Sequence, residues 1–118
     1  MVQRYQGNYP FNKESVNSFA PDLIGVYYCG RYNHYNSSLS PYYIGRAKGN
    51  EVTIKNRLLD HLYHSGWLDV THFGFRTCQT QKEAVDLEAS EIRRLNPKYN
   101  RQGKSLWDRM KRFYNSRY

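Results

Sequence analysis

The chain has 118 residues, enough for one domain with a modest core and too few for a second independent domain. Its 18 Lys and Arg residues outnumber its 10 Asp and Glu residues, so the formal net charge is +8, and 12 tyrosines contribute most of the 16% aromatic content. This composition favours a polyanionic partner, above all nucleic acid, although ribosomal proteins and proteins that bind other anionic surfaces share it.

Neither a membrane span nor a disulfide framework is indicated. The most apolar run, Leu23–Cys29, is far shorter than the roughly 20 residues that a membrane span needs, and the first residues lack the apolar stretch of a signal peptide. We therefore expect a soluble, cytoplasmic protein without a membrane partner. Cys29 and Cys78 are too few and too far apart for a metal knuckle, so we interpret them as buried thiols.

The first part of the chain predicts an irregular arm followed by a hairpin. Residues 1–21 are polar, rich in asparagine and glutamine, and show no clear period. Leu23–Gly30 is β-branched and aromatic, which is typical of a strand. After the polar loop Arg31–Ser40, the segment Pro41–Arg46 returns to strand composition, and a proline at its start needs no ladder hydrogen bond. The two strands predict an antiparallel hairpin with a long connection.

The middle of the chain predicts a helix and a third strand. Glu51–His64 reads as a helix because apolar residues recur on one side of it. Those residues are Val52, Leu58, Leu59 and Leu62. In Thr71–Cys78 polar and apolar residues then alternate and the apolar ones include aromatic residues, as in a half-buried strand.

Two further helices are predicted after the third strand. Thr80 and Glu83 form the sequence pattern of a capping box, so a helix should begin there. It can continue to Leu95, where the following Asn96-Pro97 pair disfavours helical geometry. Ser105–Ser116 repeats apolar residues at helical spacing and predicts a last, amphipathic helix. The predicted order of elements is β-β-α-β-α-α.

Most of the positive charge lies at the C-terminus. Residues 96–118 hold seven Lys and Arg residues against one acidic residue, a net charge of +6. We expect Arg109, Lys111 and Arg112 on the polar side of the last helix to follow a phosphate backbone. The alternative is a helix that only covers the core, with these charges in solvent.

The two predicted hairpin strands each carry a recognisable tripeptide. Gly25-Val26-Tyr27 and Tyr43-Ile44-Gly45 together resemble the paired signature of the GIY-YIG nuclease family, with valine in place of isoleucine in the first. The resemblance continues downstream at four positions in the order the family has them, which are Arg57, His61, Glu88 and Asn100. The hairpin loop is somewhat long, and about four extra residues separate Gly45 from Arg57, but no catalytic group is missing.

The resemblance implies an α+β fold in which helices flank a small three-stranded antiparallel sheet. The resemblance covers about Leu23–Arg101. We assign residues 22–118, including the basic C-terminal helix, to one nuclease domain and leave residues 1–21 as an arm. The implied activity is metal-dependent hydrolysis of DNA phosphodiester bonds by a tyrosine-assisted, single-metal mechanism.

Glu88 is the predicted metal ligand. Its helical neighbours at i−4 and i+4, Ala84 and Ile92, are apolar, so its carboxylate leaves an otherwise apolar stripe and requires a counter-charge. A Mg²⁺ ion that keeps most of its waters would satisfy it, and Mn²⁺ can substitute. The alternative is an ion pair with a nearby arginine.

Arg57 and His61 are spaced at i and i+4, so they share one face of their helix. Arg57 can donate a two-pronged hydrogen bond to phosphate oxygens where negative charge develops. For His61 three roles stay open, since it could accept a proton from Tyr27, accept one from water, or hydrogen-bond a phosphate. We interpret the other histidines as surface residues.

The remaining site residues take their roles from the resemblance. Tyr27 is the favoured general base, and Tyr43 would orient the phosphate or the water, although the two roles could be exchanged. Arg46 follows the second tripeptide at a position where the family often has a basic phosphate contact. Asn100 is interpreted as a clamp whose amide holds backbone or another site group.

Two other classes of protein share parts of this pattern. One is a catalytically inactive nucleic-acid-binding module of the same fold, which should have lost Tyr27, Arg57 or Glu88. The other is a basic structural protein, for which the ordered set of motif residues has no explanation. All three catalytic candidates are present, so we favour the nuclease. DNA is the expected substrate, RNA stays open, and the sequence indicates no particular protein partner.

Overall fold

The computed structural model of the protein describes residues 1–101. It contains four strands, named β1 to β4, and four helices, named α1 to α4. In chain order they are β1 (Gln6–Pro10), α1 (Lys13–Phe19), β2 (Gly25–Asn33), β3 (Ser38–Ala47), α2 (Ile54–His64), β4 (His72–Thr77), α3 (Gln81–Leu95) and α4 (Lys98–Arg101). The predicted helix Ser105–Ser116 lies outside the described residues.

The strands form one antiparallel sheet in the order β1-β4-β2-β3. β2 is a central strand, paired with β3 on one side and with β4 on the other. In the first pairing Tyr27 lies opposite Gly45 and Cys29 lies opposite Tyr43. The two signature tripeptides are therefore aligned across neighbouring strands of the sheet.

The N-terminal arm differs from its prediction, because it supplies a fourth strand and a helix where an irregular segment was expected. β1 joins the sheet through the outer edge of β4. α1 begins after Asn12, whose side chain accepts a hydrogen bond from the backbone N–H of Ser15, and it buries Val16 completely. The predicted three-stranded sheet is thus a four-stranded one, while the α+β class is as expected. The domain boundary at residue 22 stays a prediction.

The sheet buries a different core on each face. α1 and α2 cover the face that carries Tyr27, Cys29 and Tyr43. α3 covers the other face, where Val26, Tyr28 and Ile44 meet the apolar side of the helix. Neighbouring residues of β2 point to opposite faces because side chains alternate along a strand. Both Cys29 and Cys78 are buried, and no disulfide joins them.

Side-chain caps fix the starts of the two long helices. Thr53 caps α2 by accepting a hydrogen bond from the N–H of Asn56, so the helix begins at Ile54 rather than at the predicted Glu51. α3 begins with the predicted capping box, in which Thr80 and Glu83 each bond the other's backbone N–H. α3 ends at Leu95 and is capped by Asn96, whose φ of 46° is left-handed. The short α4, which was not predicted, follows. None of the helices within residues 1–101 is long and apolar enough to cross a membrane.

Candidate active site

The centre of the candidate site is a hydrogen bond between β2 and α2. The Tyr27 hydroxyl lies 2.9 Å from Nε2 of His61, and both side chains are buried. Burial lowers the pKa of His61 well below its ordinary value of 6.5, and the positive charges of Arg57 and His64 lower it further. His61 is therefore neutral at pH 7, with one ring nitrogen able to accept a proton.

Glycine at position 45 makes room for the Tyr27 ring. The two residues lie opposite each other across β2 and β3, and a Cβ atom at position 45 would overlap the end of that ring. Gly25 has a comparable constraint, because a Cβ there would overlap the backbone of Arg76 on β4. The glycines of both tripeptides are thus positions of close approach.

Aromatic rings and one hydroxyl hold the His61 ring in place. Trp67 is stacked on it with centroids 4.8 Å apart and an interplanar angle of 19°, and Tyr43 lies on it at 4.9 Å. The other ring nitrogen, Nδ1, is 2.7 Å from Oγ of Ser65. Neither Ser65 nor Trp67 was predicted as a site residue, although Ser65 lies one helical turn after His61 on the same face.

Arg57 is buried on α2, one turn before His61, with only 5% of its surface exposed. Its guanidinium lies 3.8 Å from the Asp60 carboxylate. Burial raises the pKa of Tyr27 above its ordinary value of 10, while the charge of Arg57 and its hydrogen bond to the phenol lower that pKa in part. Arg57 therefore favours the phenolate form of Tyr27.

The carboxylate of Glu88 reaches this group from α3. Its Oε1 lies 3.1 Å from Nη1 of Arg46, so the arginine pairing considered for Glu88 is present. Burial raises the pKa of Glu88, and the charges of Arg46 and Arg57 oppose that rise. The negative charge of Glu88 also raises the pKa of Tyr27, because it disfavours a second negative charge on the phenol.

A hard divalent cation fits the donors of this site. Mg²⁺ is commonly held by one or two carboxylates and keeps several of its waters, so a single half-buried carboxylate such as Glu88 is sufficient as protein ligand. Within residues 1–101 no three His, Cys, Asp or Glu side chains come together as a metal cage.

Asn100 clamps β3 beside the site. Its side-chain oxygen accepts from the backbone N–H of Ile44 at 2.8 Å, and its amide nitrogen donates to the backbone carbonyl of Ile44 at 2.9 Å. The amide thus holds the residue that lies between Tyr43 and Gly45 in the second tripeptide.

The structure brings together most of the residues that the sequence singled out. Tyr27, Tyr43, Arg57 and His61 meet on the face of the sheet that α2 covers. Arg46 and Glu88 pair with each other on the α3 side, and the charge of Glu88 acts on Tyr27 and Arg57 from there. The predicted nucleic-acid contacts Arg109, Lys111 and Arg112 lie outside the described residues.

Solved structures match this arrangement. No protein-family model matches the sequence, and the comparison with curated proteins found no match. The GIY-YIG N-terminal endonuclease domain of UvrC from Thermotoga maritima, solved with magnesium as its catalytic divalent cation, is 26% identical with a TM-score of 0.56. The match covers 75% of this chain and 98% of that chain. A point mutant of the same domain, bound to its catalytic divalent cation, is 26% identical with a TM-score of 0.57 and covers 75% of this chain and 97% of that one. The likeness supports a nuclease, and the chain has the GIY-YIG nuclease fold.

Proposed function

We propose that this protein is a metal-dependent endonuclease that hydrolyses DNA phosphodiester bonds with the help of a tyrosine and one metal ion. The observation that carries the proposal is the position of Arg57. Its charge acts on the Tyr27 phenol and on the Glu88 carboxylate, so a candidate base and a candidate metal ligand share one phosphate-binding cation.

Glu88 is the residue that would hold the metal. The UvrC domain of similar fold has magnesium as its catalytic cation, and Mn²⁺ can take the place of Mg²⁺ in such oxygen-ligand sites. When bound, the cation supplies positive charge for the scissile phosphate and the departing oxygen. Arg46, already paired with Glu88, would contact the same phosphate.

Tyr27 is proposed as the general base, with His61 as the acceptor of its proton. The phenol proton moves to Nε2 of His61, and the phenolate then takes a proton from the attacking water. As the water oxygen bonds to phosphorus, the bond from phosphorus to the departing oxygen breaks, and that oxygen takes a proton from solvent. Arg57 donates to the phosphate oxygens as their charge increases. Tyr43, whose ring is tilted against that of His61, orients the phosphate or the water.

DNA is the proposed substrate and the cytoplasm the proposed location. The net charge of +8 matches a polyanion, and a phosphate backbone would be held by Arg46 together with the C-terminal residues Arg109, Lys111 and Arg112. Phosphate contacts of this kind position the nucleic acid without selecting a sequence.

A cleavage panel tests the proposal. Labelled single-stranded, duplex, nicked and branched DNAs, with an RNA of the same sequence, are incubated with the full chain and Mg²⁺, Mn²⁺ or chelator. We expect internal cuts in at least one DNA with either metal and none in chelator. Tight binding without cutting in any metal would instead identify an inactive nucleic-acid-binding module.

A further inference from the structure

A second groove lies on the face of the sheet opposite the candidate active site. Tyr28 is on its floor, and its neighbour Tyr27 points to the catalytic side. The N-terminal arm, the β2–β3 hairpin, β4 and the end of α3 surround a cavity of about 720 Å³. That volume falls within the ~300–1,000 Å³ typical of small-molecule binding sites. The proposed nuclease mechanism uses none of the residues that line it.

The groove carries a positive charge. Arg4, Arg76 and Arg94 line it from three separate segments, against the single carboxylate of Glu91. The pKa of Glu91 is lowered, mainly by its hydrogen bond with Arg94, so the carboxylate stays ionised at neutral pH. Three guanidinium groups and one carboxylate leave the groove with two net positive charges.

The floor of the groove is a fixed hydrogen-bond network. Arg94 donates from Nε and Nη2 to the two oxygens of Glu91, at 2.6 Å and 3.0 Å, and the Tyr28 hydroxyl donates to Glu91 at 2.9 Å. Glu91 takes two of the five N–H donors of Arg94, and the Arg94 side chain is 63% exposed. The guanidinium is therefore held in one orientation while much of it faces solvent.

Arg4 stands beside this network as a second cation. It is exposed, and none of residues 1–101 pairs with its guanidinium. Arg76 donates from Nε to the backbone carbonyl of Gln3 at 3.0 Å, which ties the arm that carries Arg4 to β4. Arg4 and Arg94 thus line one groove from two separate segments of the chain.

The aromatic side chain of Tyr5 also lines the groove. Tyr5 is 39% exposed and meets Tyr28 edge-on, with centroids 5.4 Å apart. Its ring lies across Gly74, where any Cβ atom would overlap it, and its hydroxyl donates to Asn8. These contacts fix the Tyr5 ring, so it can stack on a flat ligand with little further loss of conformational freedom.

We propose that this groove binds a short single-stranded segment of the nucleic-acid substrate, with a base on Tyr5 and a phosphate between Arg4 and Arg94. The proposal rests on the proposed function, since it takes the substrate to be nucleic acid. Bases in a duplex are stacked inside the helix and cannot enter such a groove, whereas an unpaired base can stack on an aromatic ring. The substrate class is therefore DNA that carries unpaired nucleotides.

Binding measurements with a matched charge reversal test the phosphate contact. The full chain is titrated in chelator with a fluorescent single strand at several salt concentrations. Arg4→Glu should weaken binding and reduce the salt slope by about 0.7, the value for one phosphate contact on a single strand. Arg93→Glu makes the same change of charge at an exposed α3 residue outside the groove. Equal losses in affinity and slope for the two variants would overturn the proposal.

Photocrosslinking tests the base contact independently. A single strand carrying 5-iodouracil is irradiated with the full chain, and the crosslinked residue is identified by mass spectrometry. We expect Tyr5, and we expect Tyr5→Leu to weaken binding about tenfold while Tyr5→Phe keeps the affinity. Equal melting temperatures of the two variants show that the arm still folds. Crosslinks confined to tyrosines outside the groove, such as the exposed Tyr63, would overturn the proposal.

These measurements are independent of the nuclease proposal because they need no metal and no cleavage. Crosslinking at Tyr5 in a protein that cuts none of the DNAs would retain the groove and reject the nuclease. Cleavage of DNA together with identical binding by Arg4→Glu and Arg93→Glu would reject the groove and retain the nuclease.

Discussion

The Tyr27 hydroxyl and Nε2 of His61 are 2.9 Å apart in a place where neither side chain meets solvent. Burial opposes both products of a proton transfer between them, because it raises the pKa of Tyr27 and lowers that of His61. A bound phosphate would favour the imidazolium, and a cation at Glu88 would favour the phenolate. Proton transfer across this bond should therefore depend on the presence of substrate and metal together.

The first prediction concerns the tyrosine base. Tyr27→Phe should reduce the cleavage rate by about 10²–10⁴-fold, the usual contribution of a general base. Transfer of the phenol proton to His61 leaves the net charge of the pair unchanged and predicts a wild-type rate that is flat above neutrality. Loss of that proton to solvent instead predicts a rate that increases with pH, because the pKa of Tyr27 is raised. Single-turnover rates from pH 6 to 9 measure both effects. Loss of activity in Tyr43→Phe instead would exchange the two roles, and normal cutting by both variants would reject a tyrosine base.

The second prediction concerns the metal ligand. Glu88→Gln keeps the shape of the side chain and removes its charge, so cleavage should fall by at least about 10²-fold while DNA binding survives. Asp86→Asn removes a carboxylate from the exposed side of the same helix and is the matched control. Cleavage rates and binding affinities of the two variants are compared at equal Mg²⁺. Full wild-type activity in chelator would reject the metal mechanism.

The third prediction concerns the orientation of the histidine. If Nδ1 of His61 donates its proton to Oγ of Ser65, then Nε2 is the nitrogen that accepts from Tyr27. Ser65→Ala removes the hydroxyl and should reduce kcat about tenfold with little change in KM, whereas Ser65→Thr should restore it. Nitrogen-15 shifts of the imidazole identify the tautomer directly. A proton on Nε2 in the wild-type protein would contradict the assignment.

The fourth prediction is a pH dependence of stability. The pKa of His61 is lower in the folded protein than in the unfolded chain, so the unfolded chain binds the proton more readily. The stability contribution is complete above pH 6.5 and declines as the pH falls from there through the folded-state pKa, by up to about 1.4 kcal/mol per pH unit. Urea unfolding of wild type and His61→Gln between pH 7.5 and 5.5 measures it. His34→Gln, at an exposed histidine in the turn between β2 and β3, is the matched control.

The fifth prediction concerns the close approach at Gly45. Alanine at this position would overlap the Tyr27 ring, and overpacking of this kind costs about 1–3 kcal/mol. In a Tyr27→Leu background the same substitution should cost much less, because the atoms it meets are gone. A double-mutant cycle of unfolding free energies measures this coupling. Additive effects would show that Gly45 serves another purpose.

The predicted elements and the missed ones differ in whether local sequence patterns or tertiary contacts determine their secondary structure. β2, β3, β4, α2 and α3 carry their own periodicity and capping residues, so local patterns were sufficient. β1 is polar and holds Gly7, Asn8 and Pro10, and it is a strand only because β4 offers it an open edge. Its assignment required tertiary information that no local pattern contains.

The candidate site shows the same division. Tyr27, Arg57, His61 and Glu88 were predicted as site residues because they stand in a recognisable order. In the structure Tyr27 bonds His61, and the charges of Arg57 and Glu88 act on Tyr27. Trp67 lies in the loop after α2 and reaches His61 only through packing, so its spacing carried no signal. The alternative weighed for Glu88, an arginine partner, is present as Arg46, which lies 42 positions away in sequence.

The two hydrogen bonds between Asn100 and Ile44 also affect whether another chain can pair with the edge of the sheet. β3 is the last strand of the sheet, and the outward N–H and C=O groups of such a strand are a template for a strand from another chain. The Asn100 side chain carries the donor and acceptor of a peptide unit and bonds both groups of Ile44, as one residue of a fifth strand would. It thereby closes the sheet edge at Ile44 to β-augmentation.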